Sequence, residues 1–171
     1  LLHHVRHRFV EVVLMSDLTL KLASRLSALK WQMVSAESCT GGMIAARCTD
    51  LAGSSAWFDR GFVTYSNEAK TQMLGVPAEL IAAQGAVSAS VAHAMAIGAF
   101  YRSKSQVSVA VTGVAGPSGG SPEKPVGTVW FGWCVNGVVT TEVKLFQGDR
   151  SRIRHATVVH ALEGLLNRLP G

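Results

Sequence analysis

In the first third of the chain, the apolar residues are spaced first as in an amphipathic helix and then as in a buried strand. Four leucines between Leu18 and Leu29 recur at helical spacing after Ser16, a residue type that caps helices. We therefore expect a helix that begins at Ser16-Asp17. The short apolar run 31–36 predicts a buried strand. Small residues follow this strand, and renewed helical spacing then predicts a second helix that ends near Leu51.

The same two periods continue through the rest of the chain. Asn136-Gly137 lies between two apolar runs, which is the strongest short-range signal of a β-hairpin. The remaining predicted elements are a strand at 58–65, helices at 66–75, 78–83 and 87–102, a strand at 106–111, hairpin strands at 127–135 and 138–146, and a terminal helix from Gly148 to Leu169.

The order of predicted elements is α-β-α-β-α-α-α-β-β-β-α. Strands that alternate with helices predict an α/β domain, and the hairpin adds antiparallel strands, so we expect a mixed sheet. No internal repeat and no linker interrupts the pattern. The sequence therefore predicts one three-layer α/β/α sandwich over residues 16–171.

Residues 1–15 differ in composition from the rest of the chain. They hold three histidines and two arginines, and Glu11 interrupts the short apolar stretch that follows. A secretory signal would need an unbroken apolar core and a small-residue cleavage site, and the segment has neither. We interpret it as a non-functional N-terminal extension, with Met15 as the working start of the protein.

Composition and charge narrow the class of protein. The chain has 171 residues, of which 48% are hydrophobic and 16% charged, and this excludes a disordered chain. The formal net charge of +5 is scattered, so no basic run indicates a nucleic-acid partner. No apolar run reaches about 18 residues, so we expect no membrane partner. Three cysteines without a close pair suggest neither disulfides nor zinc, and they favour the reducing cytoplasm.

Three segments of small polar residues follow predicted strands. They are 37–42, 65–70 and 112–120. In open α/β sheets ligands bind beyond the carboxyl ends of the strands, and a helix N-terminus offers free N–H groups to an anion. Gly41 and Gly42 would let a ligand approach that backbone closely. The residues alone therefore predict a binding site for a small anionic molecule.

Each of these segments also has an ordinary structural interpretation. The glycines after Ser38 are typical of a helix cap with a tight turn, and the 113–120 loop lacks the lysine of a phosphate-binding P-loop. Lys70 alone is typical of a solvated side chain. Residue type also makes Cys39 as good a candidate nucleophile as Ser38.

The combination of motifs is more specific than any one of them. The motifs are Ala-Glu-Ser-Cys-Thr-Gly-Gly at 36–42, Gly-Phe-Val-Thr-Tyr-Ser-Asn-Glu-Ala-Lys at 61–70, Gly-Ala-Val-Ser at 85–88, Val-Thr-Gly-Val-Ala-Gly-Pro at 111–117, Lys-Pro-Val-Gly-Thr-Val at 124–129 and Gly-Asp-Arg at 148–150. Taken in this order, they resemble the CinA C-terminal domain family, which includes the PncC-type nicotinamide-nucleotide amidohydrolases, or NMN deamidases. The resemblance spans about residues 17–166.

The resemblance implies a fold, a reaction and a set of site residues. The fold would be an α/β/α sandwich with a mixed, mostly parallel five-stranded sheet, similar to anticodon-binding domains. The reaction would be hydrolysis of the carboxamide of nicotinamide mononucleotide to nicotinic acid mononucleotide and ammonia, in pyridine nucleotide salvage, without a metal or other cofactor. The catalytic residues carried over are Ser38, Tyr65 and Lys70. The substrate-binding residues carried over are Glu37, Thr40, Gly41, Gly42, Asn67, Thr112, Gly113, Gly116, Arg150 and Arg154.

General chemistry gives roles to the residues that the resemblance implies. A serine hydroxyl needs an adjacent base, and a lysine with its ordinary pKa of about 10.4 is protonated at neutral pH. Burial or a neighbouring cation, such as Arg150 or Arg154, would lower that pKa. Tyr65 would relay the proton or orient the lysine. Amides of residues 39–42 would hold the oxyanion, and the 113–120 loop or an arginine of the terminal helix would hold the phosphate.

Two other functions and an assembly stay open from the sequence. The family is linked to competence operons, which suggests a non-catalytic nucleotide-binding module. The similarity to anticodon-binding domains and the basic charge suggest RNA binding, although no basic and aromatic patch accompanies them. The long Ala-rich helix at 88–102 favours a symmetric homodimer.

Overall fold

Helices and strands follow one another in the order that the hydrophobic pattern predicts. The computed structural model describes residues 2–171, without the side chains of Leu2, His3, His7, Glu11 and Val12. The elements are α1 (Leu2–Leu29), β1 (Met33–Glu37), α2 (Met43–Thr49), a 3-10 turn (Ser54–Ala56), β2 (Phe58–Val63), α3 (Asn67–Leu74), α4 (Ala78–Gln84), α5 (Ala89–Tyr101), β3 (Val107–Gly113), β4 (Thr128–Val135), β5 (Val138–Leu145) and α6 (Arg150–Arg168).

The strands form one mixed sheet in the order β2-β1-β3-β4-β5. β1 pairs in parallel with both β2 and β3, while β4 pairs antiparallel with β3 and with β5. Within residues 2–171, four of these five strands therefore point the same way, and β4 is reversed. The mixed, mostly parallel sheet expected from the sequence is confirmed.

Helices cover both faces of this sheet. One face packs against α1, α2 and α6 in a core that includes Leu22, and the other packs against α3, α4 and α5 in a core that includes Leu74 and Met95. Side chains alternate between the faces along a strand, so Met33 belongs to the first core and Val34 to the second. The three-layer sandwich is confirmed. None of the helices in residues 2–171 is long and apolar enough to cross a membrane.

The first helix begins earlier than its sequence signal indicated. Ser16 lies inside α1, which extends from Leu2, so the start predicted at Ser16-Asp17 is wrong. A capping residue starts a helix only where the preceding backbone leaves the helical conformation. Here the backbone stays helical, and the Thr19 hydroxyl donates to the Met15 carbonyl at 2.9 Å. Met15 is buried in the core, whereas every described side chain from 4 to 14 is exposed.

The Ala-rich helix α5 uses its small residues inside the chain. Ala92, Ala96 and Ala99 are fully buried. A Cβ atom on Gly132 of β4 would lie 2.5 Å from the Ala92 carbonyl oxygen, so the glycine lets the strand and the helix approach closely. The composition that favoured a dimer through this helix is therefore accounted for by packing on the chain's own sheet.

Candidate active site

The carboxyl ends of three neighbouring strands bring the predicted segments together. β1 lies between β2 and β3, and all three run in parallel. Glu37 pairs with Val111 in the β1–β3 register, and the amide of Ser38 then donates to the Val111 carbonyl at 3.1 Å. Ser38 also contacts segment 65–70, which follows β2. The predicted segments therefore meet at one edge of the sheet, beyond the carboxyl ends of its parallel strands.

A buried serine and a buried lysine are in contact at this edge. Lys70 Nζ lies 3.0 Å from Ser38 Oγ, and the lysine and the serine are 1% and 7% exposed. Both side chains also donate to the main-chain carbonyl oxygen of Tyr65, Lys70 Nζ at 3.1 Å and Ser38 Oγ at 3.3 Å. One backbone oxygen atom thus holds both side chains in place.

Helix α3 carries Lys70 to the serine. Ser66 caps this helix by accepting from the amide of Ala69 at 3.0 Å, and the helix ends at Gly75 in the left-handed conformation. Lys70 lies one turn after the cap. Leu74, one turn further along the same face, is buried in the core. The lysine is directed inward because it occupies the buried face of a short amphipathic helix.

Burial sets the protonation of Lys70. It lowers the pKa of the amine below its ordinary value, because a desolvated ammonium ion is less stable than the neutral amine. No carboxylate among the described side chains forms an ion pair with it. Of the two causes expected from the sequence, burial is the one that lowers this pKa.

The phenol of Tyr65 points to another part of the site. The residue is 62% exposed, and its hydroxyl accepts from Arg150 Nη2 at 3.4 Å. No hydrogen bond joins this phenol to Ser38 or Lys70 among the described contacts. Tyr65 therefore contributes its carbonyl to the serine–lysine pair, whereas the sequence led us to expect a role for its hydroxyl.

The carboxylate of Glu37 organises the turn after β1. It is fully buried, and it accepts from the Thr40 hydroxyl at 2.5 Å and from the amides of Ile44 and Ala45 at 2.8 and 3.2 Å. Gly42, at the N-cap of α2, has no side chain that could accept from the first amides of the helix. The carboxylate of Glu37, at the end of β1, accepts from them instead. Glu37 and Thr40, which the resemblance implied as substrate-binding, thus bond to each other and to this helix.

Two arginines of α6 hold the loops of the site. Arg154 donates to the carbonyls of Cys39 and Thr40 at 3.1 and 3.2 Å. Arg150 donates to the Gly116 carbonyl at 2.7 Å. Guanidinium groups suit this task because their N–H donors lie in a fixed plane. The arginines therefore join the turn after β1 and the glycine-rich loop after β3 to the same helix.

Three of the four amides in the turn 39–42 make no backbone hydrogen bond within the described chain. The Gly41 amide donates to the Ser38 carbonyl at 3.0 Å, but those of Cys39, Thr40 and Gly42 have no backbone acceptor within the described chain. Gly41 and Gly42 have φ angles of 58° and 107°, which residues with a side chain rarely adopt. The turn therefore offers N–H donors beside the serine, as an oxyanion would need.

The other predicted site residues take less central places. The Thr112 hydroxyl donates to the Ala86 carbonyl at 2.9 Å. A Cβ atom on Gly113 or Gly116 would lie 2.6 or 2.5 Å from a valine side chain, so packing requires both glycines. Asn67 is exposed in the first turn of α3. Only contact with a ligand would give these four residues a direct role.

The structure also separates the two candidate nucleophiles. Cys39 is 5% exposed, and burial raises the pKa of its thiol to about 11. A cysteine nucleophile acts as the thiolate, which this environment disfavours at neutral pH. Ser38 has an amine with a lowered pKa in direct contact. The geometry therefore favours the serine.

Comparison with known proteins agrees with the fold and with the family that the motifs indicated. The family model described as the CinA C-terminal domain matches residues 15–169. This chain belongs to the CinA C-terminal domain family. Nicotinamide-nucleotide amidohydrolase PncC of Enterobacter agglomerans is 50% identical to this CinA domain over 151 residues, which cover 88% of this chain and 92% of that protein. The protein of the same name from Pseudomonas putida is 51% identical over 151 residues, or 88% of this chain and 94% of that one.

A solved structure extends the likeness of this CinA domain to three dimensions. The crystal structure of the competence/damage inducible protein CihA from Agrobacterium tumefaciens is similar with a TM-score of 0.86 and 48% sequence identity. The match covers 90% of this chain and 96% of that chain. The family resemblance drawn from the motifs is confirmed.

Two groups that hold parts of this CinA domain in place near the predicted segments were missed by the sequence analysis. The first is the Tyr65 carbonyl, which no residue-type signal reveals because every residue has a carbonyl. The second is Lys124, whose Nζ donates to the Gln84 carbonyl at 2.7 Å and joins the loop after β3 to α4. The motif at 124–129 was the available signal for this lysine.

Proposed function

We propose that this chain hydrolyses the carboxamide of nicotinamide mononucleotide to nicotinic acid mononucleotide and ammonia. The observation that carries the proposal is the buried contact of 3.0 Å between Lys70 Nζ and Ser38 Oγ. The names of relatives that are 50% and 51% identical over most of the chain support the choice of substrate. The reaction would serve pyridine nucleotide salvage in the cytoplasm.

In the first half-reaction, Ser38 is the nucleophile. The neutral amine of Lys70 takes the hydroxyl proton as Oγ attacks the carboxamide carbon. The carbonyl oxygen becomes an oxyanion, which the free amides of the turn 39–42 stabilise. Lys70 then gives its proton to the amide nitrogen, the carbon–nitrogen bond breaks and ammonia leaves. The acyl group of the nucleotide remains as an ester on Ser38.

In the second half-reaction, water replaces the serine. Lys70 takes a proton from the water molecule as its oxygen attacks the ester carbon, and the oxyanion forms against the same amides. The bond between carbon and Oγ then breaks, and Lys70 returns the proton to Ser38. Nicotinic acid mononucleotide leaves, and the site is restored with no net change in its protons.

We assign the 5′-phosphate to the side of the site formed by Arg150 and the 113–120 loop. Arg150 is exposed, and its guanidinium has donors beyond those used on Gly116 and Tyr65. The amides of 118–120 have no backbone acceptor within the described chain. Arg154 is engaged by two carbonyls, so we give it a positioning role.

Ammonia release by the purified full chain tests this proposal. Nicotinamide mononucleotide is the substrate, free nicotinamide is the comparison, and each assay is run with and without a chelator. Ser38→Ala and Lys70→Ala are each expected to lose at least about a hundredfold in kcat while the far-ultraviolet circular dichroism stays unchanged. Cys39→Ala is the matched control and should keep its activity. Full activity in Ser38→Ala, or loss in Cys39→Ala alone, would contradict the serine mechanism.

A non-catalytic nucleotide-binding module is the alternative. The name of the Agrobacterium relative, competence/damage inducible protein, favours it. A module that only binds would gain nothing from a buried lysine of lowered pKa against a serine hydroxyl, because desolvating that lysine costs stability. Saturable binding of the nucleotide in calorimetry, with no ammonia released, would support the module. We expect no strongly salt-dependent affinity for RNA.

A further inference from the structure

Strand β5 ends the sheet with an unpaired edge. Asn136 and Gly137, with φ angles of 48° and 90°, form the two-residue turn between β4 and β5, so Val135 and Val138 are a hydrogen-bonded pair. Hydrogen-bonded pairs then recur at every second residue. It follows that alternate residues of β5 direct N–H and C=O groups away from β4, to the side where the described chain has no further strand. These residues are Val139, Thr141, Val143 and Leu145.

This edge has only part of the usual protection against pairing. Proteins blunt long edges with charged residues, prolines, bulges or a covering element, and of the first kind β5 has only Glu142 and Lys144. β5 has eight residues and no proline, and its register with β4 is continuous over those eight residues. Val143 and Leu145 are 45% and 55% exposed. An edge of this length with two exposed apolar side chains is suited to strand addition.

We propose that β5 pairs antiparallel with β5 of a second copy of this chain, with the two-fold axis next to Val143. Val143 then faces Val143 of the second copy, and Leu145 faces Thr141. Because these residues carry the free backbone groups, the pairing completes the unpaired edge in both copies. The result is one sheet that continues through both molecules, and such an interface is closed and isologous.

The charges of β5 select this register. With the axis next to Val143, Glu142 lies opposite Lys144 of the second copy, and Lys144 lies opposite its Glu142. Opposite charges in directly facing positions stabilise a strand pair, and like charges destabilise it. An axis next to Glu142 would face two glutamates, and one next to Lys144 would face two lysines. Within one chain the Glu142 carboxylate lies 2.8 Å from His160 Nε2, 3.7 Å from Lys144 Nζ and 3.8 Å from Arg168 Nη2, so Glu142 and Lys144 are on the face of the sheet that α6 covers.

The proposed interface leaves the serine–lysine site open. β3 and β4 separate β5 from β1, which carries Ser38 at its end. Substitutions at Val143 should therefore alter assembly without altering the chemistry. This makes assembly measurable independently of the activity proposed above.

Sedimentation equilibrium of the full chain tests the proposal. The wild type is expected at twice the chain mass of 18.1 kDa. V143K and V143E each put like charges across the axis, so each should dimerise about tenfold more weakly or worse, whereas an equimolar mixture of the two should regain the dimer as a heterodimer. V138K and V138E, at an exposed valine of the same strand outside the facing positions, are matched controls and should stay dimeric.

Three results would overturn the proposal. A monomeric wild type at 100 µM would remove the interface. Dimers of V143K and V143E as tight as that of the wild type would show that another surface mediates assembly. Failure of the mixture to regain the dimer, while circular dichroism shows both variants folded, would contradict the register centred on Val143.

Discussion

Among single residues, Lys70 has the environment that departs furthest from that of an ordinary lysine. Its amine is buried, and its hydrogen-bond partners are neutral oxygens: the Ser38 hydroxyl and the carbonyls of Tyr65 and Ser66, at 3.0, 3.1 and 3.5 Å. Neutral oxygens hold an ammonium ion less well than water and a carboxylate would. The lowered pKa of this amine is therefore a property of its position, and it has consequences for rate and for stability.

The pH dependence of the reaction should follow Lys70. Because the neutral amine is the base, kcat/KM for nicotinamide mononucleotide is expected to rise with pH and to level off with a midpoint below 10.5, the ordinary value for lysine. Initial rates of ammonia release between pH 6 and pH 10 measure this. The rising limb should disappear in the residual activity of Lys70→Ala. A flat profile in the wild type would argue against a lysine base.

Stability should depend on pH through the same group. The unfolded chain holds the Lys70 proton up to about 10.5, whereas the folded chain releases it at lower pH. Between the pKa of Lys70 in the folded chain and its pKa in the unfolded chain, the unfolded state binds more protons, so the free energy of unfolding rises with pH. Below both pKa values Lys70 is charged in both states, and the folded state carries the full cost of burying that charge. Lys70→Met should therefore be more stable than the wild type at pH 6, by on the order of 1 kcal/mol. Urea unfolding at pH 6 and pH 9.5 measures this, and a difference that does not narrow at the higher pH would contradict the assignment.

At the scale of secondary-structure elements, the cap of α2 joins stability to function. Glu37 accepts from two amides of this helix and from Thr40, and Ser38 is its neighbour in the chain. Glu37→Gln keeps the shape of the side chain but places an NH2 group against N–H donors. We expect a loss of about 1–3 kcal/mol in the free energy of unfolding. Because the turn also holds the oxyanion donors, we expect kcat to fall about tenfold with little change in KM.

Glu79→Gln is the matched control for this substitution. Glu79 lies in the first turn of α4, where a carboxylate also faces the N-terminus of a helix, but unlike Glu37 it is exposed. Its replacement should change the free energy of unfolding by less than about 0.5 kcal/mol and leave kcat unaltered. Equal effects of the two substitutions in urea unfolding and steady-state kinetics would mean that Glu37 does not position the turn.

Local signals predicted most elements and failed where the neighbouring chain overrode them. Ser66 and Ser88 cap their helices by accepting from the amides of Ala69 and Val91, as their residue type indicates. Ser16 has the same residue type but lies inside α1, because the chain before it is helical too. A cap signal depends on only a few residues, so it cannot report what the upstream backbone does.

At the scale of the whole molecule, the first turns of α1 lie outside the core. The described side chains from 4 to 14 are exposed, whereas Met15, Leu18 and Leu22 are buried. A chain that begins at Met15 should keep its ammonia release and its melting temperature within about 3 °C of the full chain. A chain that begins at Leu20 loses three buried side chains, those of Met15, Leu18 and Thr19, and should melt roughly 10 °C lower. Thermal unfolding measures both, and a large loss in the first truncation would show that residues before Met15 contribute to the fold.

The place of the site was predictable, but its contacts were not. The three segments 37–42, 65–70 and 112–120 follow predicted strands, and in open α/β sheets ligands bind beyond the carboxyl ends of strands, so the sequence placed the candidate site there. The parallel pairing of β1 with β2 and β3 then brings the segments together. The resemblance to the family added the names Ser38 and Lys70. Neither source indicated that the Tyr65 phenol faces Arg150 or that its carbonyl holds the pair.

The sequence by itself determined the elements, their order, the turn at Asn136-Gly137 and the membership of the family, because these depend on local propensity and on motifs of adjacent residues. Only the tertiary structure decided that Lys70 is buried against Ser38 and that Cys39 is held as a thiol. Only the packed sheet likewise shows that β5 has a free edge. The physical reason is that the burial of a side chain depends on residues distant in the chain. Burial and the desolvation that comes with it govern the pKa values on which the proposed chemistry rests.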